Sequence, residues 1–172
     1  WSNLGLGVSA LCRSLLVYGG ELVAGGAFGN AGGSFVGFIA RWNGTTWSSL
    51  AGGMDNDVFG MSLYGANLAA VGRFTTAGGV AAQLVAVWNG SSWSALGSGL
   101  NGDGQCAAQY GSDLIVGGIF TFAGGGPASK IARWNGASWS ALGGGINGSV
   151  DALTTHGGDL FAGGAFSSAG GN

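Results

Sequence analysis

Charge of either sign is scarce in this chain: 7% of its 172 residues are charged, and its formal net charge is −2. The five basic residues are spread along the sequence, at Arg13, Arg41, Arg73, Lys130 and Arg133. Nucleic acids and anionic lipid surfaces are bound by clustered positive charge, and no such cluster exists here. The composition therefore argues against nucleic acid as a partner.

Long apolar runs are also missing. No stretch reaches about 18 apolar residues without a glycine or a polar interruption, which is the minimum for a membrane-spanning helix, so we expect no membrane insertion. Lys and Glu are few, whereas Gly, Ser, Thr, Asn and Trp are abundant, which favours an extracellular or cell-surface (secreted) protein. The chain begins at Trp1, so we expect it to be processed or an interior piece of a longer protein.

Side chains that bind metals or drive catalysis are few. One histidine (His156) and two cysteines (Cys12 and Cys106) cannot supply a zinc or copper ligand set. The counterparts of His156 in the rest of the sequence are Tyr18, Tyr64 and Tyr110. We therefore expect the His156 ring to have a structural role. We expect neither catalytic residues nor a cofactor in the chain.

Two features leave alternatives open. Cys12 and Cys106 are predicted to be small buried apolar side chains, with an intramolecular disulfide or a reactive thiol as the alternatives. Asp55 and Asp57 alternate like the oxygen ligands of a calcium loop, but the downstream glutamate and the fixed spacing are missing. They are the one candidate for a metal site in the chain.

Glycine and aromatic residues are abundant instead: the chain holds 40 Gly, seven Trp and nine Phe. Trp-Asn-Gly followed by a second Trp occurs three times, at residues 42–47, 88–93 and 134–139. The step from one copy to the next is 46 residues each time. A strict period of this length indicates an array of one repeated supersecondary unit.

Each repeat predicts four short strands. In the third repeat they cover about residues 104–110, 113–120, 130–134 and 139–142. Asn135-Gly136 predicts a type I′ hairpin turn, which needs positive φ at both central residues. No segment has a helical period, and four short strands per unit are typical of a propeller blade.

The predicted fold is therefore an all-β array of four-stranded antiparallel propeller blades, with three complete blades and part of a fourth. The predicted boundaries are an outer strand of a preceding blade at 1–5, blade a at 6–51, blade b at 52–97, blade c at 98–143 and an incomplete blade d at 144–172.

Residues that recur in phase are the expected core. The leucines are Leu22, Leu68, Leu114 and Leu160, and the aromatic set is Phe28, Phe74, Phe120, Phe166, Trp42, Trp47, Trp88, Trp93, Trp134 and Trp139. We expect the Phe and Leu side chains to be largely buried, and the Trp pairs to stack across their hairpins or to fill the space between blades.

Some polar positions recur as well. Glu21, Asp113 and Asp159 precede the second strand of their repeats, where Asn67 fills the remaining copy, so we expect turn acceptors rather than general acids. Three Asn residues satisfy the N-glycosylation pattern: Asn43, Asn89 and Asn147. Two of these are hairpin turns, so fold requirements alone account for the match.

The repeated sequence motif resembles that of a known repeat family. Trp-Asn-Gly-x-x-Trp-Ser-x-Leu, followed by Asp-Leu-x-x-Gly-Gly-x-Phe-x-x-Ala-Gly-Gly, resembles the kelch repeat of β-propellers, with Trp where the first kelch aromatic is usually Tyr. It is similar to Trp-Asn-Gly repeats in large secreted bacterial proteins and to the ectodomain of fungal cortical marker proteins. The resemblance implies adhesion, scaffolding or surface recognition. The ligands of copper-binding kelch enzymes have no counterparts here.

We therefore expect an extracellular structural, adhesive or self-assembling module without catalytic activity. The alternative is carbohydrate binding, with exposed Trp or Tyr rings stacking on sugars. An enzyme on a propeller scaffold has the least support, because titratable groups do not converge. Burial of the Trp residues discriminates between the first two hypotheses.

The fourth repeat departs from the period, because it lacks a counterpart of residues 35–46. We expect an open strand edge around Phe161. Such an edge would be filled by further blades of a longer chain or by a strand from another copy of the chain. Glycans are the other expected partner.

Overall fold

The computed structural model describes residues 3–170, which form an all-β structure without a helix. Three four-stranded antiparallel sheets and one two-stranded sheet follow one another along the chain, with a small two-stranded hairpin in each of the first three repeats. Within this described range, no helix offers the length and apolar character needed to cross a membrane.

The first repeat shows the pattern. Its strands are β1 (Cys12–Tyr18), β2 (Glu21–Gly26), β3 (Asn30–Ala31), β4 (Ser34–Phe35), β5 (Ile39–Trp42) and β6 (Trp47–Ser49). The sheet has the order β1-β2-β5-β6, and β3 pairs with β4 inside the loop that joins β2 to β5. All neighbours in the sheet are antiparallel. Short turns connect β1 to β2 and β5 to β6, whereas the loop of residues 27–38, which contains β3 and β4, connects β2 to β5.

The later repeats follow the same order. The second contains β7 (Val58–Tyr64), β8 (Asn67–Gly72), β9 (Thr76–Ala77), β10 (Val80–Ala81), β11 (Val85–Trp88) and β12 (Trp93–Ala95). The third contains β13 (Gly104–Tyr110), β14 (Asp113–Gly118), β15 (Phe122–Ala123), β16 (Gly126–Pro127), β17 (Ile131–Trp134) and β18 (Trp139–Ala141). The fourth contains β19 (Ala152–His156) and β20 (Asp159–Gly163), which pair with each other.

Successive sheets pack through the first strand of each repeat, which is β1, β7, β13 or β19. β7 contacts both β1 and β13, and β13 also contacts β19. Glycine permits this approach at the second strand: a Cβ added at Gly25 would lie 2.7 Å from Cγ1 of Val58 in the next sheet, closer than real Cβ atoms come. The missing side chain therefore sets the distance between neighbouring sheets.

The core lies within and between the sheets. Phe28, Phe74 and Phe120 are 0%, 0% and 1% exposed and follow the second strands of their repeats. Leu68 and Leu114, in the second strands themselves, are also fully buried. One cluster joins side chains of the first two sheets, and a second cluster of the same size joins the second and third sheets. Burial at these interfaces orders the array.

The core expected from the period is less complete at the two ends. Leu22, Leu160 and Phe166 are half-buried rather than buried. Phe161 in β20 is 51% exposed, whereas its counterparts Val23 and Ile115 are 1% and 0% exposed. The physical reason is that, among residues 3–170, no further sheet covers the outer face of the first or the fourth sheet.

The outer strand predicted at residues 1–5 is not formed in its described part. Asn3 and Leu4 have no strand structure, and Gly5 lies in a turn. Trp1 and Ser2, as well as Gly171 and Asn172 of the predicted blade d, lie outside the described residues.

The Trp-Asn-Gly hairpins form where predicted, but the type I′ turn was wrong. Trp42 pairs with Trp47 across a loop of four residues. Gly44 has φ of 99°, whereas Asn43 is not among the residues with positive φ. The side-chain oxygen of Asn43 instead accepts hydrogen bonds from the backbone N–H groups of Thr45 and Thr46, both at 2.9 Å. Asparagine is therefore used as a turn acceptor.

Candidate functional site

The two Trp residues of each hairpin form a pair of the same geometry in all three repeats. Their ring centroids lie 5.5, 5.3 and 5.4 Å apart, with interplanar angles near 50°. Such tilted contacts are the favoured arrangement of aromatic pairs. Trp88 and Trp93 are 5% and 4% exposed. The remaining four paired Trp residues are half-buried: Trp42, Trp47, Trp134 and Trp139.

The second Trp of each pair also connects neighbouring repeats. The Nε1–H group of Trp93 donates a hydrogen bond of 2.8 Å to the backbone oxygen of Leu50, which follows the last strand of the first sheet. Trp139 donates in the same way to Leu96, at 2.7 Å. Trp47 donates to Leu4, at 2.9 Å. The same bond therefore recurs in each of the first three repeats.

Each of these Trp rings lies against a glycine. A Cβ added at Gly78 would come within 2.8 Å of Trp93 Cδ1, and one at Gly124 within 2.8 Å of Trp139 Cβ. At Gly32 the corresponding distance to Trp47 is 3.3 Å. These glycines also have positive φ, so both space and backbone favour glycine there.

The tyrosines at the ends of β1 and β7 contact the next repeat. The hydroxyl oxygen of Tyr18 lies 3.6 Å from where a Cβ of Gly90 would stand, and Tyr64 has the same relation to Gly136. Burial and the nearby charge of Asp113 raise the pKa of Tyr64, so its phenol remains neutral at ordinary pH.

A surface groove of about 430 Å³ lies beside the contact of Tyr18 with Gly90. It lies between the first two sheets, and its lining includes Tyr18, Glu21, Arg41, Leu50 and Trp88. A smaller groove of about 220 Å³ lies at the next junction, where Tyr64, Leu96 and Trp134 occupy the corresponding positions. The grooves are repeated features of the junctions between sheets.

Glu21 and Asp113, which we expected as turn acceptors, form cross-strand ion pairs, and Asp113 also accepts a hydrogen bond from the hydroxyl of the turn residue Ser112 at 3.4 Å. Arg133 Nε lies 2.6 Å from Asp113 Oδ2, and Arg41 Nη1 lies 3.5 Å from Glu21 Oε2. In the second repeat, Asn67 and Val87 occupy the two positions. The arginine and the carboxylate thus occur together or not at all in the three complete sheets, which is a signal that the sequence already contained.

The calcium candidate residues make other contacts. Asp55 Oδ1 accepts hydrogen bonds from the N–H groups of Thr75 and Thr76, at 2.8 and 2.9 Å, and Oδ2 accepts one from the Thr75 hydroxyl at 2.6 Å. The pKa of Asp55 is lowered: partial burial opposes the shift, but these hydrogen bonds outweigh it. Asp57 lies 3.9 Å from Arg13 of the preceding sheet.

The same loop contact recurs with asparagine, which sequence analysis missed. Asn101 Oδ1 accepts from the N–H groups of Thr121 and Phe122, and Asn147 Oδ1 accepts from those of Ser167 and Ser168. The signal was the 46-residue spacing of Asp55, Asn101 and Asn147. The neutral amides of Asn101 and Asn147 accept the same backbone hydrogen bonds as the Asp55 carboxylate. The geometry therefore supports a structural role for Asp55.

The two cysteines are free thiols, with Cys106 buried and Cys12 half-buried. Burial raises the pKa of Cys106 to about 12 and also raises that of Cys12. A thiol with such a pKa carries little of the nucleophilic thiolate at neutral pH. His156 is exposed at the end of β19 and lines an open groove with Tyr110.

The polar side chains described above form ion pairs and hydrogen bonds with nearby protein groups, and they do not converge on one site. Within residues 3–170, no group of three or more His, Cys, Asp or Glu side chains is placed to hold a metal ion. In the same range, every buried side-chain nitrogen and oxygen has a hydrogen-bond partner. No protein-family model matches the chain, and no curated protein matches it either.

Proposed function

We propose that the chain is an extracellular structural, adhesive or self-assembling module without catalytic activity, built of kelch-like propeller blades. The observation that carries the proposal is the bond from a Trp indole to the carbonyl oxygen of the Leu 43 residues earlier, which occurs in each of the first three repeats. A contact that repeats in this way serves to hold many similar units in a fixed order.

Two outer faces support the assembly part of the proposal. Leu15 and Val17 on β1 are 62% and 63% exposed, and Phe161 on β20 is 51% exposed. The counterparts of Leu15 in the next two sheets are Met61, packed against the core, and Ala107, 9% exposed. Exposed apolar patches of this kind are typical of protein–protein contact.

The test is the mass of the chain in solution, measured by analytical ultracentrifugation over a wide concentration range. We expect association that grows with concentration, and we expect Leu15→Asp and Phe161→Asp each to reduce it. The exposed Ser140→Asp variant is the matched control for added charge. Association that is absent, or that none of the apolar substitutions changes, would count against self-assembly.

Carbohydrate binding is the second candidate, and the groove with Tyr18, Glu21 and Arg41 favours it. This groove combines an aromatic ring with polar groups, as sugar sites do. The buried Trp88 and Trp93 offer no exposed platform, so Tyr18 would have to supply the stacking ring. Calorimetric titration with soluble oligosaccharides, comparing Tyr18→Phe with Tyr18→Ala, tests this candidate: only the alanine variant should lose binding.

A further inference from the structure

The groove between the first two sheets lies between repeats whose four-stranded sheets are both formed. Its lining comes from β2, β5 and the turn after β1 on one side, and from Trp88 and Gly90 of the second repeat on the other. Its volume of about 430 Å³ falls within the range of about 300–1,000 Å³ that is typical of small-molecule sites. The groove at the next junction, of about 220 Å³, falls below that range.

Arg41 and Glu21 give the first groove a charged pair whose hydrogen-bonding capacity is only partly used. Nε of Arg41 donates to the Ser48 hydroxyl at 3.2 Å, and Nη1 lies 3.5 Å from Oε2 of Glu21. That separation is longer than the about 2.7–2.9 Å of a charge-assisted hydrogen bond. In the third sheet, by contrast, Arg133 and Asp113 lie 2.6 Å apart. The looser pair therefore keeps donors and acceptors for a molecule in the groove.

The fold itself does not require this charged pair. Asn67 and Val87 occupy the same two positions in the second repeat. Nevertheless β8 and β11 pair in the same register as β2 and β5. Because an equivalent sheet forms without the pair, Glu21 and Arg41 are available for a role other than building the sheet.

We propose that this groove binds a neutral pyranose sugar through two hydroxyl groups on neighbouring carbons, one bonded to Glu21 and the other to Arg41. The proposal deepens the carbohydrate-binding candidate, on which it rests, because it names the class of sugar and the two residues that select it. It also places the site at the first junction between sheets and not at the second, where the charged pair is missing.

The chemistry of the pair favours such a diol. A carboxylate only accepts hydrogen bonds and a guanidinium group only donates them, whereas a hydroxyl group does both. One hydroxyl of the diol donates to Glu21 while its neighbour accepts from Arg41, so that both charged groups gain a partner. Because the pair is neutral as a whole, a ligand with a net charge is attracted by one member and repelled by the other.

The apolar part of the groove suits the ring of the sugar. Val23 and Trp88 are buried residues of the lining, as is Leu50. Tyr18 adds an aromatic ring to the same lining. Small-molecule sites typically combine such apolar side chains with a few polar groups that fix orientation. Hydrogen bonds to Glu21 and Arg41 also gain strength beside this lining, because the local dielectric is lower than in water.

The experiment titrates the isotope-labelled 172-residue chain with the methyl glycosides of glucose, galactose and mannose, and follows the backbone amide signals by NMR spectroscopy. Gly19 and Gly90 lie in the groove, so we expect their signals to shift with at least one of these sugars. The signal of Gly136, in the second groove, should stay in place. A fully O-methylated glycoside should not bind, because it cannot donate to Glu21.

Substitutions of the charged pair test its role directly. Glu21→Ala and Arg41→Val should each weaken binding by about 10-fold or more, because each removes a hydrogen bond to a charged group. The double variant Glu21→Asn with Arg41→Val copies the second repeat. It should therefore fold, as a thermal melt verifies, and should lose binding. Arg73→Val is the matched control: this exposed arginine follows the end of β8 that is remote from the groove, and binding should not change.

Absence of binding by all three methyl glycosides would overturn the proposal, and so would binding that the double variant retains. Tighter binding of glucuronate, or of the free amino acid glycine, would overturn it as well, because the site would then select a charged group. Sugar binding that Tyr18→Ala abolishes and the double variant retains would leave the carbohydrate candidate in place. Concentration-dependent association, measured by ultracentrifugation, reports on the assembling module independently of any sugar.

Discussion

The indole N–H of Trp93 donates a hydrogen bond to the carbonyl oxygen of Leu50, 43 residues earlier in the chain, in a buried setting. Leu50 belongs to one sheet and Trp93 to the next, so a single polar contact aligns two separate units. The Leu50 oxygen also accepts the N–H of Gly53 at 3.1 Å. This second bond keeps the oxygen partnered when the indole is removed.

We expect Trp93→Phe to lower the free energy of unfolding by about 1 kcal/mol, the net worth of a hydrogen bond, together with a smaller term from the reduced ring. Trp47→Phe is the matched control, because its bond to Leu4 lies at an exposed site, and we expect a smaller loss. Urea unfolding followed by circular dichroism measures both. An equal loss of unfolding free energy in the two variants would contradict the expectation that the buried hydrogen bond contributes more than the exposed one.

Phe74→Ala should destabilise the chain by about 3–5 kcal/mol, because Phe74 is fully buried and its removal leaves a cavity. Phe166→Ala, at the corresponding half-buried position of the fourth repeat, should cost clearly less. The comparison uses the same denaturant assay. If the two costs were equal, the fourth repeat would be as well packed as the second.

The glycines beside the Trp rings allow a matched pair of substitutions. Gly125→Ala introduces a Cβ at φ of 82° with nothing within 4 Å, and should cost about 1–2 kcal/mol from the backbone alone. Gly124→Ala adds a Cβ that would lie 2.8 Å from the Trp139 Cβ, and should cost about 1–3 kcal/mol more through overpacking. Thermal unfolding of the two variants gives the difference.

Cys106 predicts a loss of stability at alkaline pH. Its pKa is raised to about 12 in the folded chain by burial, above the ordinary thiol value that applies when the chain unfolds. The stability that this shift contributes is fully present below the unfolded pKa, and falls as the pH rises towards the folded value, because only the unfolded chain then loses the proton. Cys106→Ala should remove this part of the pH dependence. Urea unfolding between pH 7 and 10 measures it, and identical slopes in both proteins would refute the prediction.

Arg133→Met should destabilise the chain by about 1 kcal/mol or more, because it leaves the Asp113 carboxylate, 9% exposed, without its cation. Arg41→Met should change stability less, since the Glu21 side chain is 32% exposed, against 12% for that of Asp113, and the charged atoms lie 3.5 Å apart. Parallel urea titrations of the two variants test this ranking.

The strands and most of the core could be predicted because glycine and Trp recur in register. A 46-residue period places Phe28, Phe74 and Phe120 in equivalent surroundings, so one physical argument serves all three. The ends could not be predicted in this way, because the burial of Leu22 or Phe166 depends on neighbours beyond the repeat in which each residue lies.

The polar contacts were harder to predict. Asn-Gly alone suggested a two-residue type I′ turn, whereas Asn43 closes a four-residue loop through its side chain. The same loop forms in the other two hairpins, where the Asn89 and Asn135 side chains accept from the backbone amides of the two residues before the second Trp, so the side chain of the Asn decides the turn. The ion pair of Arg41 with Glu21 required the antiparallel pairing of β2 and β5, which places the two side chains on one face.

The repeated junction between sheets has a consequence for the gene. Since a Trp, a Leu carbonyl and a glycine meet in the same way where the first sheet joins the second and where the second joins the third, duplicating or deleting one whole repeat would keep this contact between the repeats that become neighbours. Recombination between such similar segments of coding sequence would then change the length of the array without damaging its interior. Variation in array length is thus structurally tolerated in whole repeats, whereas insertion of part of a repeat would separate a Trp from its Leu.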